Sequence, residues 1–167
     1  TTYTPRSKVQ VTHFPPSPHV KRDLHLHWLK DEEWLASLNE KLQDSGGCIA
    51  IICSTVGRAQ EVFQELKDSG HFSKDELGLF HGRFLFTDRE RIEHDCIIRF
   101  GKPNDPKTDR PARYVLVATQ VIEQSLDLDF DLMISDLAPV DLLLQRSGRL
   151  HRHEDRENRP VSFKQPT

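Results

Sequence analysis

The chain has 167 residues, enough for one core-bearing domain and too few for two ordinary ones. Its charged fraction of 29% and apolar fraction of 36% rule out a disordered chain. Twenty-three basic residues against 26 acidic ones leave a net charge of −3, which excludes a module that holds nucleic acid by broad electrostatic attraction. No run approaches the roughly 18 apolar residues of a membrane span, and Thr1-Thr2-Tyr3-Thr4-Pro5 lacks the apolar core of a signal peptide. A soluble, cytoplasmic protein is expected, and a first residue other than Met reads as an excised domain or a processed product.

Residues 1–30 read as an arm or interlobe linker. Pro15, Pro16 and Pro18 punctuate it, residues 9–14 fit an edge strand, and residues 24–28 fit another. A helix is expected from Asp31, which would cap it, with Glu32 and Glu33 in the first turn. Leu35, Leu38 and Leu42 share one face of that helix, and Gly46-Gly47 ends it. Cys48-Ile49-Ala50-Ile51-Ile52-Cys53 is a continuous apolar run of strand length, as in a parallel strand covered on both sides. Ser54-Thr55 is a turn and cap before Val56, Ala59, Phe63 and Leu66, which recur at helical spacing until Gly70.

Residues 77–80 form a short strand and His81-Gly82-Arg83-Phe84 a loop. Thr87-Asp88-Arg89-Glu90 has the form of a capping box for a helix running through Ile92, Cys96 and Phe100. Residues 103–111, with three prolines, read as a surface loop. Residues 114–118 and 131–135 are two more buried strands, and a helix follows over 140–146. Strands alternating with helices imply an α/β fold, a parallel sheet sandwiched by helices, over residues 31–163 with a tail at 164–167.

Cys48, Cys53 and Cys96 are odd in number and sit in apolar company, so buried, reduced thiols are expected. His25, His27, His151 and His153 lack any metal-binding frame, and no metal site is expected.

In open α/β sheets ligands lie at the carboxyl ends of the strands. Those ends carry Ser54-Thr55, His81-Gly82-Arg83, Thr119-Gln120 and Asp136. Hydroxyls and helix-N-terminal amides there suit the oxygens of a sugar-phosphate backbone, although capping alone also explains Ser54 or Thr55. Arg146, Arg149 and Arg152 recur every three residues, which in a helix or turn sets them along one side. A planar, permanently charged guanidinium matches a phosphate in transfer. A solvated basic face paired with Asp155 and Glu157 is the plainer reading, but Leu142–Leu144, Gln145 and Gly148 are foreign to such a face. A Gly-x-x-x-x-Gly-Lys-Ser/Thr phosphate cradle is absent from the sequence. Asp75-Glu76, and the strand ending in Asp136, imitate an acidic magnesium box without that cradle, so this chain alone is not expected to hydrolyse ATP.

Together these features resemble the C-terminal RecA-like lobe of superfamily-two helicases over residues 48–153. Residues 49–55 resemble the fourth helicase motif, and His81-Gly82-Arg83-Phe84 with Arg89 the segment after it. Residues 117–127 resemble the fifth motif, and Gln145-Arg146-Ser147-Gly148-Arg149-Leu150-His151-Arg152 the sixth. The runs 123–131, Asp136-x-Ala138-Pro139 and 145–153 look most like the CRISPR-associated helicase–nuclease of type I interference systems.

The resemblance implies ATP bound between two lobes, with Mg2+ held by a first lobe. Arg149 and Arg152 would reach the γ-phosphate, Arg152 as the finger, while Gln145 and Gly148 belong to the nucleotide side and Asp127 contacts the ribose or steadies the arginines. Ser54, Thr55, Arg83 and Thr119 would touch single-stranded DNA. The implied partners are a first RecA-like lobe, an HD nuclease domain and a CRISPR RNA-guided surveillance complex, in a prokaryotic cytoplasm. Two other readings stay open: a non-catalytic docking module, or a lobe of an RNA-remodelling helicase, since a backbone grip carries no probe for a 2′-hydroxyl.

Overall fold

The computed structural model describes residues 24–43, 46–123, 126–153, 156 and 159–164. Four strands form one parallel sheet in the order β2-β3-β1-β4: β1 (Gly47–Ile52), β2 (Leu77–Phe80), β3 (Arg113–Ala118) and β4 (Leu132–Ser135). Helices α1 (Trp34–Gln43), α2 (Val56–Asp68), α3 (Phe86–Phe100) and α4 (Val140–Ser147) connect or follow them. The parallel sheet between helices is the α/β architecture expected.

Period-two alternation sorts the strand residues between two cores. Ile49, Ile51, Val115, Val117 and Leu77 pack on one face with Leu38 and Leu42 of α1 and Ala59, Val62 and Leu66 of α2. Cys48, Ala50, Ile52, Leu116 and Ala118 pack on the other with Cys96 and Phe100 of α3 and with Phe130 and Leu150. Because both faces of β1 and β3 are covered, their sequences are apolar throughout rather than alternating with polar residues. Each large side chain buried this way contributes roughly 1.5–3 kcal/mol. Burial pushes the thiols of Cys48, Cys53 and Cys96 up to about 12, so all three are inert and uncharged at neutral pH.

Several local expectations are corrected. Residues 24–30 form no strand; they are irregular and exposed, with Trp28 at 83%. α1 starts at Trp34, not Asp31, so residues 31–33 make a turn and no acidic side chain lies in the helix's first turn. α3 starts at Phe86 after Leu85, which makes no side-chain cap, so Thr87 lies inside the helix and caps nothing. The strand expected over residues 9–14 lies outside the described residues.

Past the expected elements the chain closes with a 3-10 turn, Val161–Phe163, and Phe163 is buried beneath β1. Its ring fills the notch at Gly47, where φ is +117° and a Cβ would stand 2.8 Å from the ring. Only glycine meets both demands.

Candidate functional site

At the carboxyl edge of the sheet the strand order sets the Arg83 turn, Thr119, Ser54-Thr55 and Asp136 side by side. Ser54 donates its N–H to Asp136 Oδ2 at 2.7 Å, which ties the end of β1 to the end of β4. Thr55 is the N-cap of α2 and accepts the Arg58 N–H at 3.1 Å, so the capping role is real. Ser54, Thr55 and Arg83 are exposed, whereas Thr119 is only 2% exposed. The open members of the row are therefore the β1 and β2 turns. His81 stacks on Phe84 at 4.3 Å and accepts the Arg83 N–H on Nδ1, which stiffens that second turn. Burial lowers the pKa of His81 and favours the neutral ring that this acceptance requires.

The three regularly spaced arginines do not lie along one helical side. α4 ends at Ser147, and His151 adopts a left-handed backbone, φ 45°. Arg146 turns inward, buried. Its Nε donates to Glu123 Oε1 at 2.7 Å, and its Nη1 donates to Ser135 Oγ at 2.8 Å and to the Asp136 carbonyl at 3.2 Å. Arg149 donates to the Glu123 carbonyl at 2.6 Å and to the Gln145 carbonyl at 3.2 Å. Its Nε is buried without a hydrogen-bond partner. Burial, then the charge of Arg152, pulls the Arg149 pKa down against Glu123 and Asp127.

Arg152, with 42% of its side chain exposed, pairs with Asp127 and donates to the Gly148 carbonyl at 3.3 Å. Burial pushes the Asp127 carboxyl up, but Arg152 and His153 outweigh it and hold it below its ordinary value. Asp127 thus steadies an arginine. Gln145 is exposed on the last turn of α4, and a Cβ on Gly148 would crowd the Gln145 carbonyl at 3.3 Å. The solvated-face reading fails for Arg146 and Arg149, both buried; Asp155 and Glu157 lie outside the described residues.

A second charged cluster escaped the sequence analysis. Asp131 accepts the Cys48 N–H at 2.8 Å where β1 begins, and Arg110 reaches it at 2.8 Å. Arg159 bridges Asp131 at 2.7 Å and Asp129 at 2.6 Å, and Arg156 lies 2.7 Å from Asp129. The loop over 103–111 is therefore more than a surface insertion: its Arg110 enters the base of the sheet. Glu123 and Arg146 were also missed as a pair. Only the helical spacing of Arg146 hinted at a role, and nothing marked its partner 23 residues away.

A family model described as CRISPR-associated nuclease/helicase Cas3, C-terminal, matches residues 45–155, well over half of the chain. The chain belongs to the Cas3 C-terminal family. It is 43% identical over 134 residues to the CRISPR-associated nuclease/helicase Cas3 of Streptococcus thermophilus, a match covering 80% of this chain and 14% of that protein. The crystal structure of T. fusca Cas3-ATP superposes with a TM-score of 0.74 at 49% identity, covering 83% of this chain and 15% of that one. A chain of a CRISPR RNA-guided surveillance complex, pre-nicking, superposes with a TM-score of 0.69 at 45% identity, covering 87% and 17%.

The chain therefore spans about one seventh of the relatives it matches. The Cas3 family match takes in both arginine-bearing segments but stops short of Arg156, Arg159 and Phe163, which belong to the same packed unit. Among the described residues no helix is long and apolar enough to cross a membrane.

Proposed function

We propose that the chain is the second motor lobe of an ATP-dependent single-stranded-DNA helicase that unwinds target DNA for degradation in CRISPR interference. The observation that carries this reading is the mounting of the arginines: residues 123 and 127 of one segment hold Arg146, Arg149 and Arg152 of another. Arg152 stands 42% exposed at the open end of this mounting, so an anionic nucleotide fits there.

Bound between lobes, ATP would supply the anhydride whose cleavage drives the cycle. Arg149 and Arg152 would stabilise charge on the transferring phosphoryl group, with Arg152 as the finger. Gln145 and Gly148 would border the nucleotide, and Asp127 would steady Arg152. Ser54, Thr55 and Arg83 would grip the DNA backbone without reading bases, whereas Thr119, expected to join them, is buried behind that edge. A first RecA-like lobe, carrying the phosphate cradle and holding Mg2+, would complete the site. Leu137, Val140 and Leu144 are 71%, 72% and 63% exposed beside the arginine segment, an apolar stripe suited to cover by that lobe. An HD nuclease domain, fused or separate, and an RNA-guided surveillance complex would be the further partners, in a prokaryotic cytoplasm.

The test is the ATPase of the longer protein carrying both lobes, with single-stranded DNA and RNA compared as activators. DNA stimulation that Arg152→Ala abolishes is the expected result. Stimulation by RNA alone, or full turnover in Arg152→Ala, would sink the assignment.

A further inference from the structure

We propose that Glu123 is a positioning residue that aims Arg149 at the nucleotide and ties its aim to the DNA-side turn at Ser54. This rests on the motor-lobe reading. Glu123 meets two arginines through two different groups. Its carboxylate takes Arg146 Nε at 2.7 Å, and its carbonyl takes Arg149 Nη2 at 2.6 Å. Arg146 and Glu123 are almost wholly buried, their side chains 4% and 8% exposed. A buried, bidentate-capable guanidinium on a carboxylate leaves little freedom for the backbone that bears it. The direction of the Glu123 carbonyl, and with it Arg149, is thus set by Arg146.

Arg146 in turn is referenced to the strand ends. Its Nη1 donates to Ser135 Oγ at 2.8 Å and to the Asp136 carbonyl at 3.2 Å, and Ser135 Oγ itself donates to that carbonyl at 2.8 Å. The Asp136 carboxylate then receives the Ser54 N–H at 2.7 Å. A continuous polar chain, Ser54 to Asp136 to Arg146 to Glu123 to Arg149, links a turn facing the DNA to an arginine facing the nucleotide. Asp136 and Glu123 each accept on both their carboxylate and their carbonyl, so a shift of the Ser54 turn would be passed through them as a change of angle at Arg149. Contiguity alone does not establish coupling; measured coupling does.

The experiment uses the longer protein carrying both lobes and compares the parent with Glu123→Gln, which keeps size and shape but removes the charge. DNA-stimulated kcat should fall by about ten- to a hundredfold, the scale expected when an active-site group is displaced slightly. KM for ATP should stay within about threefold, since binding is not what Arg149 misdirection removes. Asp136→Ala, which removes the carboxylate that receives the Ser54 N–H, should lower DNA stimulation in the parent but add little in Glu123→Gln, the non-additivity of one shared path.

Should Glu123→Gln melt much earlier than the parent, Arg146→Lys keeps the opposite charge while removing the fork, and should show the same kcat loss. Parent-like kcat in Glu123→Gln and Arg146→Lys would overturn the proposal, as would fully additive effects with Asp136→Ala. Arg152→Ala, run in parallel, separates the two levels of inference. If it is inactive while Glu123→Gln is normal, only the positioning role fails; if it is fully active, the finger assignment fails whatever Glu123 does.

Discussion

Two clusters in this lobe hold the same charges in opposite ways. Each gathers three arginines around two acidic residues: Arg146, Arg149 and Arg152 with Glu123 and Asp127, against Arg110, Arg156 and Arg159 with Asp129 and Asp131. In the second, no arginine side chain is more than 15% exposed and the carboxylates are at 0% and 1%. In the first, exposure grades from 4% at Arg146 to 42% at Arg152 and Asp127. A closed cluster spends its donors internally and serves as a rivet. A graded cluster is anchored at one end and presents charge at the other, which is what a site completed by another surface requires. Composition alone does not separate a structural ion network from a functional one; the gradient of burial does.

That contrast is most sharply tested by exchanging the expected consequences. Arg152→Ala should cut the DNA-stimulated ATPase of the two-lobe protein by about 10³-fold or more, while the thermal midpoint of the lobe moves little, since an exposed pair contributes about 1 kcal/mol or less. Asp129→Asn should do the reverse. Removing one partner of a buried pair costs about 3–5 kcal/mol, measurable by denaturant titration, with normal ATPase at temperatures where the protein is folded. If Asp129→Asn spares stability, the rivet description is wrong.

Acid should single out the closed cluster too. Burial alone would raise the Asp129 carboxyl, but Arg159 first, then Arg110 and Arg156, outweigh it and hold it below the ordinary 3.8. A depressed folded value means the stabilisation is complete at neutral pH, wanes as pH falls through 3.8, and is lost below the folded value. The melting temperature should therefore hold from neutral pH to about pH 5 and then drop, and Asp129→Asn should flatten much of that drop. The smallest effect is expected at Thr55: Thr55→Ala should cost about 1 kcal/mol of stability through the lost cap, and Thr55→Ser should restore it. A DNA-affinity loss that persists in Thr55→Ser would show that the methyl group, not the cap, matters there.

The strands and the arginines of the graded cluster were legible because local rules apply to them, but the Glu123 that anchors Arg146 was not. Continuous apolar runs such as residues 48–53 signal covered parallel strands, and three arginines at fixed spacing mark their segment. The closed cluster was not legible. Its pairs lie 19 to 30 residues apart in sequence, its acids read as parts of a strand approach, and Arg110 sat in a loop that polarity and prolines assigned to the surface. Thr87 misled for a related reason: a capping-box pattern is a local preference, and the helix instead starts two residues earlier at the exposed pair Leu85-Phe86. The arginine spacing shows the same limit, since α4 ends at Ser147 before Arg149 and a left-handed His151 redirects the chain before Arg152.

Phe163 in the Gly47 notch bears on where this lobe can be cut. Trimming the polypeptide where the family likeness ends, at residue 155, would pull an aromatic plug from under the central strand and leave Asp129 and Asp131 facing Arg110 alone. Arg156, Arg159 and Phe163 therefore hold the sheet together from beyond the last recognisable motif.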